Sequence, residues 1–302
     1  MSFLVWANRD DDRLELIRES AAACGMEIEL MGLGLVPSDL YNNLFKQRAL
    51  YEALRPLEDE EIVCATDGHD VFFQSGRETI RESFLSLGRD VVFSAEKLYS
   101  HQYRRFRGHF DKAPGVSPYR YINAGGVIGY AGALKWLYKP RARLRVWVRL
   151  LAHPRFHRMA KALTPVLRRV LPMSRSRRDD FASYMRWYNY ADQAAMGKYV
   201  ACNTWDLDIG LDRECRIFWC TASEWEDIDN HYEVVDGKIV NRHTGRVPGC
   251  IHVPMPAKYR HVLLQLSQAG RQARSSFGLL PSAPGCDAEN ASPEQSLGER
   301  AR

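Results

Sequence analysis

The chain has 302 residues, 45% of them hydrophobic and 26% charged, enough for one large core or two small ones and too apolar for a disordered or fibrous protein. Its longest apolar stretches fall far short of the ~20 residues that span a bilayer, which excludes an integral helical membrane protein. The net charge of +5 is uneven: residues 134–178 hold 14 Lys and Arg and no acid, leaving 28 basic against 37 acidic residues elsewhere.

Residues 2–7 predict a short buried strand, and the apolar spacing of Leu14, Ile17 and Ala21 predicts a helix over 11–23, opened by Asp10 to Asp12. Glu27 to Met31 alternates like a strand and ends in Gly32-Leu33-Gly34. Residues 43–55 predict a helix that stops near Pro56. The continuous run Ile62 to Ala65 marks a central strand covered on both faces. A helix follows over 77–87, a strand over 90–95, and a strand-like Gly125 to Tyr130. Strands alternating with helices of this length predict an α/β fold around a mostly parallel sheet.

The Arg-rich segment 134–178 interleaves Trp147, Leu150, Phe156 and Leu163 with its cations, and Pro154, Pro165 and Pro172 cut it into short helices. It reads as a basic helical insertion in a single domain spanning 1–268. From Gly270, Ser, Gly, Pro, Ala and Gln dominate, which predicts a disordered tail over 270–302. Seven scattered cysteines without a C-x-x-C pair suggest reduced thiols rather than a disulfide framework. Met1 to Trp6 runs into Asn8-Arg9-Asp10-Asp11-Asp12 without a basic n-region or a signal-length apolar core, so a cytoplasmic protein is expected.

Ligands of open α/β sheets bind beyond the carboxyl ends of the strands. The strand 62–65 leads there into Thr66-Asp67-Gly68-His69-Asp70, two carboxylates three apart that can converge on one divalent cation, although Asp and Gly are also plain turn residues. His252 follows the apolar Cys250-Ile251, and two carboxylates with one imidazole suit Mn2+ better than Ca2+. Gly125 and Gly126 allow close approach of a ligand or a bulge in the strand. Asp192-Gln193 offers a buried carboxylate or a helix cap.

Taken in order, these segments resemble the glycosyltransferase domain of the procollagen lysyl hydroxylase family. The matching blocks are Asp67-Gly68-His69-Asp70, Val91-Val92-Phe93-Ser94-Ala95-Glu96, Asn123 to Tyr130, Asp192-Gln193, Leu211 to Phe218 and Ile251-His252, with Leu30 to Gly34 as an early match. The resemblance covers residues 3–133 and 180–260. It implies a GT-A fold that uses a UDP-sugar donor and Mn2+ or Mg2+. By that likeness Asp67, Asp70 and His252 are the metal residues. Asn8, Lys46, Asp67, His69, Asn123, Gly125 and Gly126 fall on nucleotide- and sugar-binding positions, and Asp192 and Gln193 face the transferred sugar as the catalytic pair. His69 stands where the family carries a tyrosine that stacks on the uracil. Ala191 replaces the first acid of an Asp-Asp-Gln stretch, and Val253-Pro254-Met255 replaces Gly-Asn-Gly.

The expected function is therefore a metal-dependent hexosyltransferase moving sugar from a UDP-sugar to a glycan, lipid-linked or protein hydroxyl. One alternative is a module that docks on an anionic membrane surface through 134–178, at the inner face of the membrane. The other is a catalytically degenerate member of the fold. A nucleic-acid partner is not expected, because the acidic body opposes a phosphate backbone.

Overall fold

The computed structural model describes residues 1–34, 43–99, 104–112, 115, 117–139, 191–202, 207–254 and 260–276. Six strands form the central sheet: β1 (Ser2–Trp6), β2 (Glu29–Met31), β3 (Ile62–Asp67), β5 (Val91–Glu96), β6 (Tyr121–Tyr130) and β7 (Ile209–Asp212). Their spatial order is β2-β1-β3-β6-β5-β7. The β1–β2, β1–β3 and β5–β7 pairs are parallel, whereas β6 runs antiparallel to both neighbours. Five strands thus point the same way and one is reversed, the mostly parallel α/β sheet expected from the sequence.

Strand alternation sends successive side chains to opposite faces, and the two faces build two cores. Leu4, Trp6, Val63, Ala65, Val91, Phe93 and Val127 pack with α2 (Asn43–Leu54), α5 (Ala131–Tyr138) and α6 (Ala191–Cys202). Phe3, Val5, Ile62, Cys64, Val92 and Ile128 pack on the other face with α1 (Glu15–Ala23) and α3 (Arg77–Leu87). Each fully buried Leu, Val or Phe side chain contributes roughly 1.5–3 kcal/mol of transfer free energy. Gly88 ends α3 at φ 59°, the left-handed conformation that glycine adopts without a Cβ penalty.

A smaller sheet, β4 (Val71–Phe73), β11 (Cys250–His252) and β8 (Phe218–Cys220), lies in the order β4-β11-β8. Trp219, Ile251, Val253 and Phe72 form a third core with α7 (Arg260–Ser276) and the hairpin of β9 (Tyr232–Val235) and β10 (Lys238–Asn241). A short α4 (Arg107–Asp111) precedes β6.

Three differences from the sequence expectations have physical reasons. Strand β6 begins at Tyr121, not Gly125, because its glycines sit inside a paired strand rather than at its start. Strand β4 is three residues long and hidden behind the polar Asp67-Gly68-His69-Asp70 turn. Helix α7 runs to Ser276, past the expected start of the tail at 270, since Arg271, Gln272, Ala273 and Arg274 are good helix formers. The remaining tail, 277–302, and residues 140–190 of the basic insertion and its flank lie outside the described residues. Among the described residues no helix is long and apolar enough to cross a membrane.

Candidate functional site

Strand β3 delivers Asp67 to its carboxyl end, and the following turn returns as β4 with Asp70 just before it. The turn needs a glycine at 68: a Cβ there would lie 2.8 Å from the Trp6 carbonyl and 2.9 Å from Leu14 Cδ2. Strand β11 pairs antiparallel with β4, opposing His252 to Val71 and so bringing the imidazole beside the two carboxylates. His252 Nε2 lies 3.5 Å from Asp70 Oδ1 and 3.8 Å from Asp67 Oδ2. The three groups expected to hold a metal therefore meet, their ligand atoms all within 4.8 Å of one another.

A chain of hydrogen bonds fixes the imidazole. Glu96, buried at the end of β5, accepts from Asn123 Nδ2 at 2.9 Å, which orients that amide with its oxygen away from the carboxylate. Asn123 Oδ1 then accepts from Gly125 N at 2.9 Å and from His252 Nδ1 at 3.1 Å. An amide oxygen can only accept, so Nδ1 carries a proton, and in the neutral ring Nε2 presents its lone pair toward Asp67 and Asp70. Nε2 is buried and makes no hydrogen bond. A buried lone pair facing two carboxylates is the donor set of a divalent cation, and the carboxamide behind the ring is the usual support for a ligating histidine. Burial alone would lower the His252 pKa, but Asp70 and Asp67 outweigh it and hold it above the ordinary histidine range.

The glycines of β6 serve this packing. A Cβ on Gly125 would fall 2.0 Å from His252 Cε1, and one on Gly126 would fall 2.7 Å from Phe218 Cδ1. The ladder opens here as well: Phe93 pairs with Val127, yet Ser94 pairs with Asn123 rather than Gly126, so residues 124–126 bulge away from β5. Their peptide groups go to side chains. Lys46 Nζ donates to the Ala124 carbonyl at 2.7 Å, and Ala124 N donates to Gln193 Oε1 at 3.2 Å.

Lys46 also lies 2.7 Å from Asp67 Oδ1 and 3.6 Å from Asp192 Oδ2. Burial opposes its charge, but Asp67 and Asp192 prevail and hold its pKa above the usual lysine value. Asp192 is itself buried, and burial pushes its carboxyl up to about 6 against the opposing pull of Lys46. Gln193 Nε2 donates to Glu96 Oε1 at 2.9 Å, so one carboxylate holds both Asn123 and Gln193. Lys46, Asp67, Asp70, Asn123, Gly125, Asp192, Gln193 and His252 thus form one connected site.

The other expected residues lie around it. His69 Nε2 sits 3.3 Å from the Arg9 carbonyl and 3.7 Å from Asp11 Oδ1, in a pocket where burial, with the Arg13 guanidinium, lowers its pKa. Asn8 is buried just beyond β1, and its Nδ2 has no hydrogen-bond partner. Gly126 packs against Phe218 rather than lining open space. Glu96 is a functional residue that the sequence leaves without a role; its acidic identity at the close of an otherwise apolar run is the available signal. No disulfide joins the six described cysteines, and burial pushes the Cys64 thiol up to about 12, so it is inert as a nucleophile.

Residues 2–142 match the sequence model of the PLOD GT domain family. Procollagen-lysine,2-oxoglutarate 5-dioxygenase 1 of Bos taurus is 34% identical over 140 residues, 44% of this chain and 19% of the relative. The Drosophila melanogaster procollagen-lysine,2-oxoglutarate 5-dioxygenase is 32% identical over 135 residues, 43% of this chain and 18% of that protein. The matched stretch thus spans about a fifth of these relatives' length. Among solved structures, apo mouse xyloside xylosyltransferase 1 overlaps 81% of this chain and 74% of its own, at 12% identity and a TM-score of 0.33. Lys46, Asp67, Asp70, Glu96 and Asn123 lie inside the matched stretch, whereas Asp192, Gln193 and His252 lie outside it and are joined to it by the fold. Residues 2–142, just under half of the chain, are therefore similar to the PLOD GT domain.

Proposed function

We propose that the protein is a metal-dependent glycosyltransferase that uses a UDP-sugar donor. The observation that carries this reading is the His252 imidazole, locked by Asn123 with its free Nε2 toward Asp67 and Asp70. That donor set suits Mn2+ or Mg2+, and oxygen-rich sites of this kind leave positions for substrate phosphates.

A bound divalent cation would supply charge stabilisation worth several kcal/mol to a departing diphosphate. Asp67, Asp70 and His252 would hold it at the carboxyl end of β3. Lys46, kept cationic by Asp67 and Asp192, adds a second positive charge to the same cleft. Asp192, with a pKa raised to about 6, is ionised at neutral pH yet close enough to it to accept a proton from an attacking hydroxyl or to hold a sugar hydroxyl. Gln193 is clamped at both ends of its amide, its Oε1 accepting from Ala124 N and its Nε2 donating to Glu96.

The test is Mn2+-dependent hydrolysis and transfer across a panel of UDP-sugars. Turnover of at least one of them by the native chain, lost in Asp70→Asn, is the expected result. Unchanged metal-dependent nucleotide binding in Asp70→Asn would remove the metal assignment. The proposed acceptor is a hydroxyl of a glycan, a lipid-linked glycan or a protein. The proposed setting is the cytoplasm, in keeping with thiols that stay reduced.

Docking of 134–178 on an anionic membrane surface is a separate proposal. Its support within the described residues is Trp136 of α5, which is 45% exposed beside a cationic stretch. Co-sedimentation with anionic liposomes, lost when 134–178 is removed, is the expected behaviour.

A further inference from the structure

A second group of ligating side chains stands apart from the Asp67–Asp70–His252 site. Glu224, His231 and His243 bring three potential ligand atoms within 4.8 Å of one another. Glu224 is buried and anchored: its Oε1 accepts from Tyr119 OH at 2.9 Å and its Oε2 from Trp219 Nε1 at 3.0 Å. His231 Nδ1 lies 3.7 Å from Glu224 Oε1, His243 Nε2 lies 3.9 Å from it, and the two ring nitrogens are 2.7 Å apart. Ligand atoms on a tetrahedral zinc ion with bonds near 2.0–2.1 Å are about 3.3 Å apart, a spacing that the three separations here bracket.

The protonation pattern points the same way. Asp227 Oδ1 accepts from His231 Nε2 at 3.0 Å, so in the neutral ring Nδ1 is the lone pair that a cation would take. His243 Nε2 faces the Lys97 ammonium at 2.7 Å, so it too presents a lone pair. Lys97 also contacts Glu224 Oε1. His231 Nδ1 and His243 Nε2 lie within hydrogen-bond distance of each other at 2.7 Å, and the Lys97 ammonium beside His243 Nε2 and Glu224 Oε1 already brings positive charge to the cluster. A carboxylate behind a ligating imidazole is the usual outer support of a metal-bound histidine.

We infer that Glu224, His231 and His243 form a second cation site, of the two-imidazole, one-carboxylate class that binds Zn2+. Asp227 orients His231, and Lys97 is the resident cation that the metal displaces. The ion ties the β9–β10 hairpin, flanked by His231 and His243, to the core through Glu224.

Equilibrium dialysis of Asp70→Asn with Zn2+, and absorption of its Co2+ form, separates this site from the first. The expected result is one Zn2+ per chain and the intense visible bands of tetrahedral Co2+, both lost in Asp70→Asn/His243→Ala. Lys97→Met, which removes the competing ammonium, is expected to bind Zn2+ at least tenfold more tightly. No Zn2+ uptake by Asp70→Asn, or uptake unchanged by His243→Ala, overturns the inference. Should the double variant fail to fold, imidazole nitrogen NMR of Asp70→Asn decides: Zn2+ must shift His231 Nδ1 and His243 Nε2, and unshifted resonances overturn the site.

Discussion

The His252 ring occupies the space that a side chain on Gly125 would fill, with an added Cβ only 2.0 Å from Cε1 and 2.4 Å from Nδ1. The glycine and the imidazole, 127 positions apart in sequence, are therefore one structural unit. Gly125→Ala must push the ring off Asn123 Oδ1 or distort β6. Overpacking of this kind costs roughly 1–3 kcal/mol, and disturbing the support of a metal ligand lowers affinity about 10–100-fold. Urea unfolding and Mn2+ titration of Gly125→Ala check both figures.

Glu96 holds Asn123 and Gln193 together from a buried position at the end of β5. Glu96→Leu leaves two buried amide donors without their acceptor. Each such loss costs about 1–3 kcal/mol, so a destabilisation of roughly 2–6 kcal/mol is expected in urea. Nucleotide binding should weaken as well, since Asn123 would no longer hold the imidazole in one tautomer.

Asp192 ties stability to pH. Its carboxyl is raised from 3.8 in the unfolded chain to about 6 in the folded one, with burial the main cause. The folded state therefore binds this proton more tightly. The group's favourable contribution is present below about pH 4 and is lost as pH rises through about 6. The full swing is on the order of 3 kcal/mol. Comparison of native and Asp192→Asn unfolding free energies between pH 4 and 7 should show the native curve falling relative to the variant across that window.

Metal loading should be visible without any substrate. A ligand that binds only the folded state at a hundred times its dissociation constant stabilises it by about 2.7 kcal/mol. Mn2+ is accordingly expected to raise the melting temperature of the native chain, and EDTA to reverse it. Thermal melts of His252→Ala should show no Mn2+ response beyond that of a surface-bound ion.

Much of the architecture is legible because its signals are local. Ile62 to Ala65 is an unbroken apolar run and became β3, and α3 is bracketed by Gly76 and Gly88, which set its ends. The smaller sheet is not legible in this way. Strands β4, β8 and β11 have three residues each, too few to show alternation, and exist because they pair with one another. The site divides likewise. Asp67 and Asp70 declare themselves by position after a strand, and the bond between Asn123 and His252 spans 129 positions that no spacing rule covers. Glu224, His231 and His243 come from loops around a hairpin, and nothing in their separations signals that they meet.

The bulge in β6 shows what this arrangement asks of the sheet. Where Ser94 skips to Asn123, three backbone groups of Ala124 and Gly125 are taken over by Lys46, Gln193 and Asn123. Trimming that detour to a straight ladder would restore ordinary pairing and evict the imidazole. The defect in the weave is the socket, and a more regular version of this sheet would have no room for the ring.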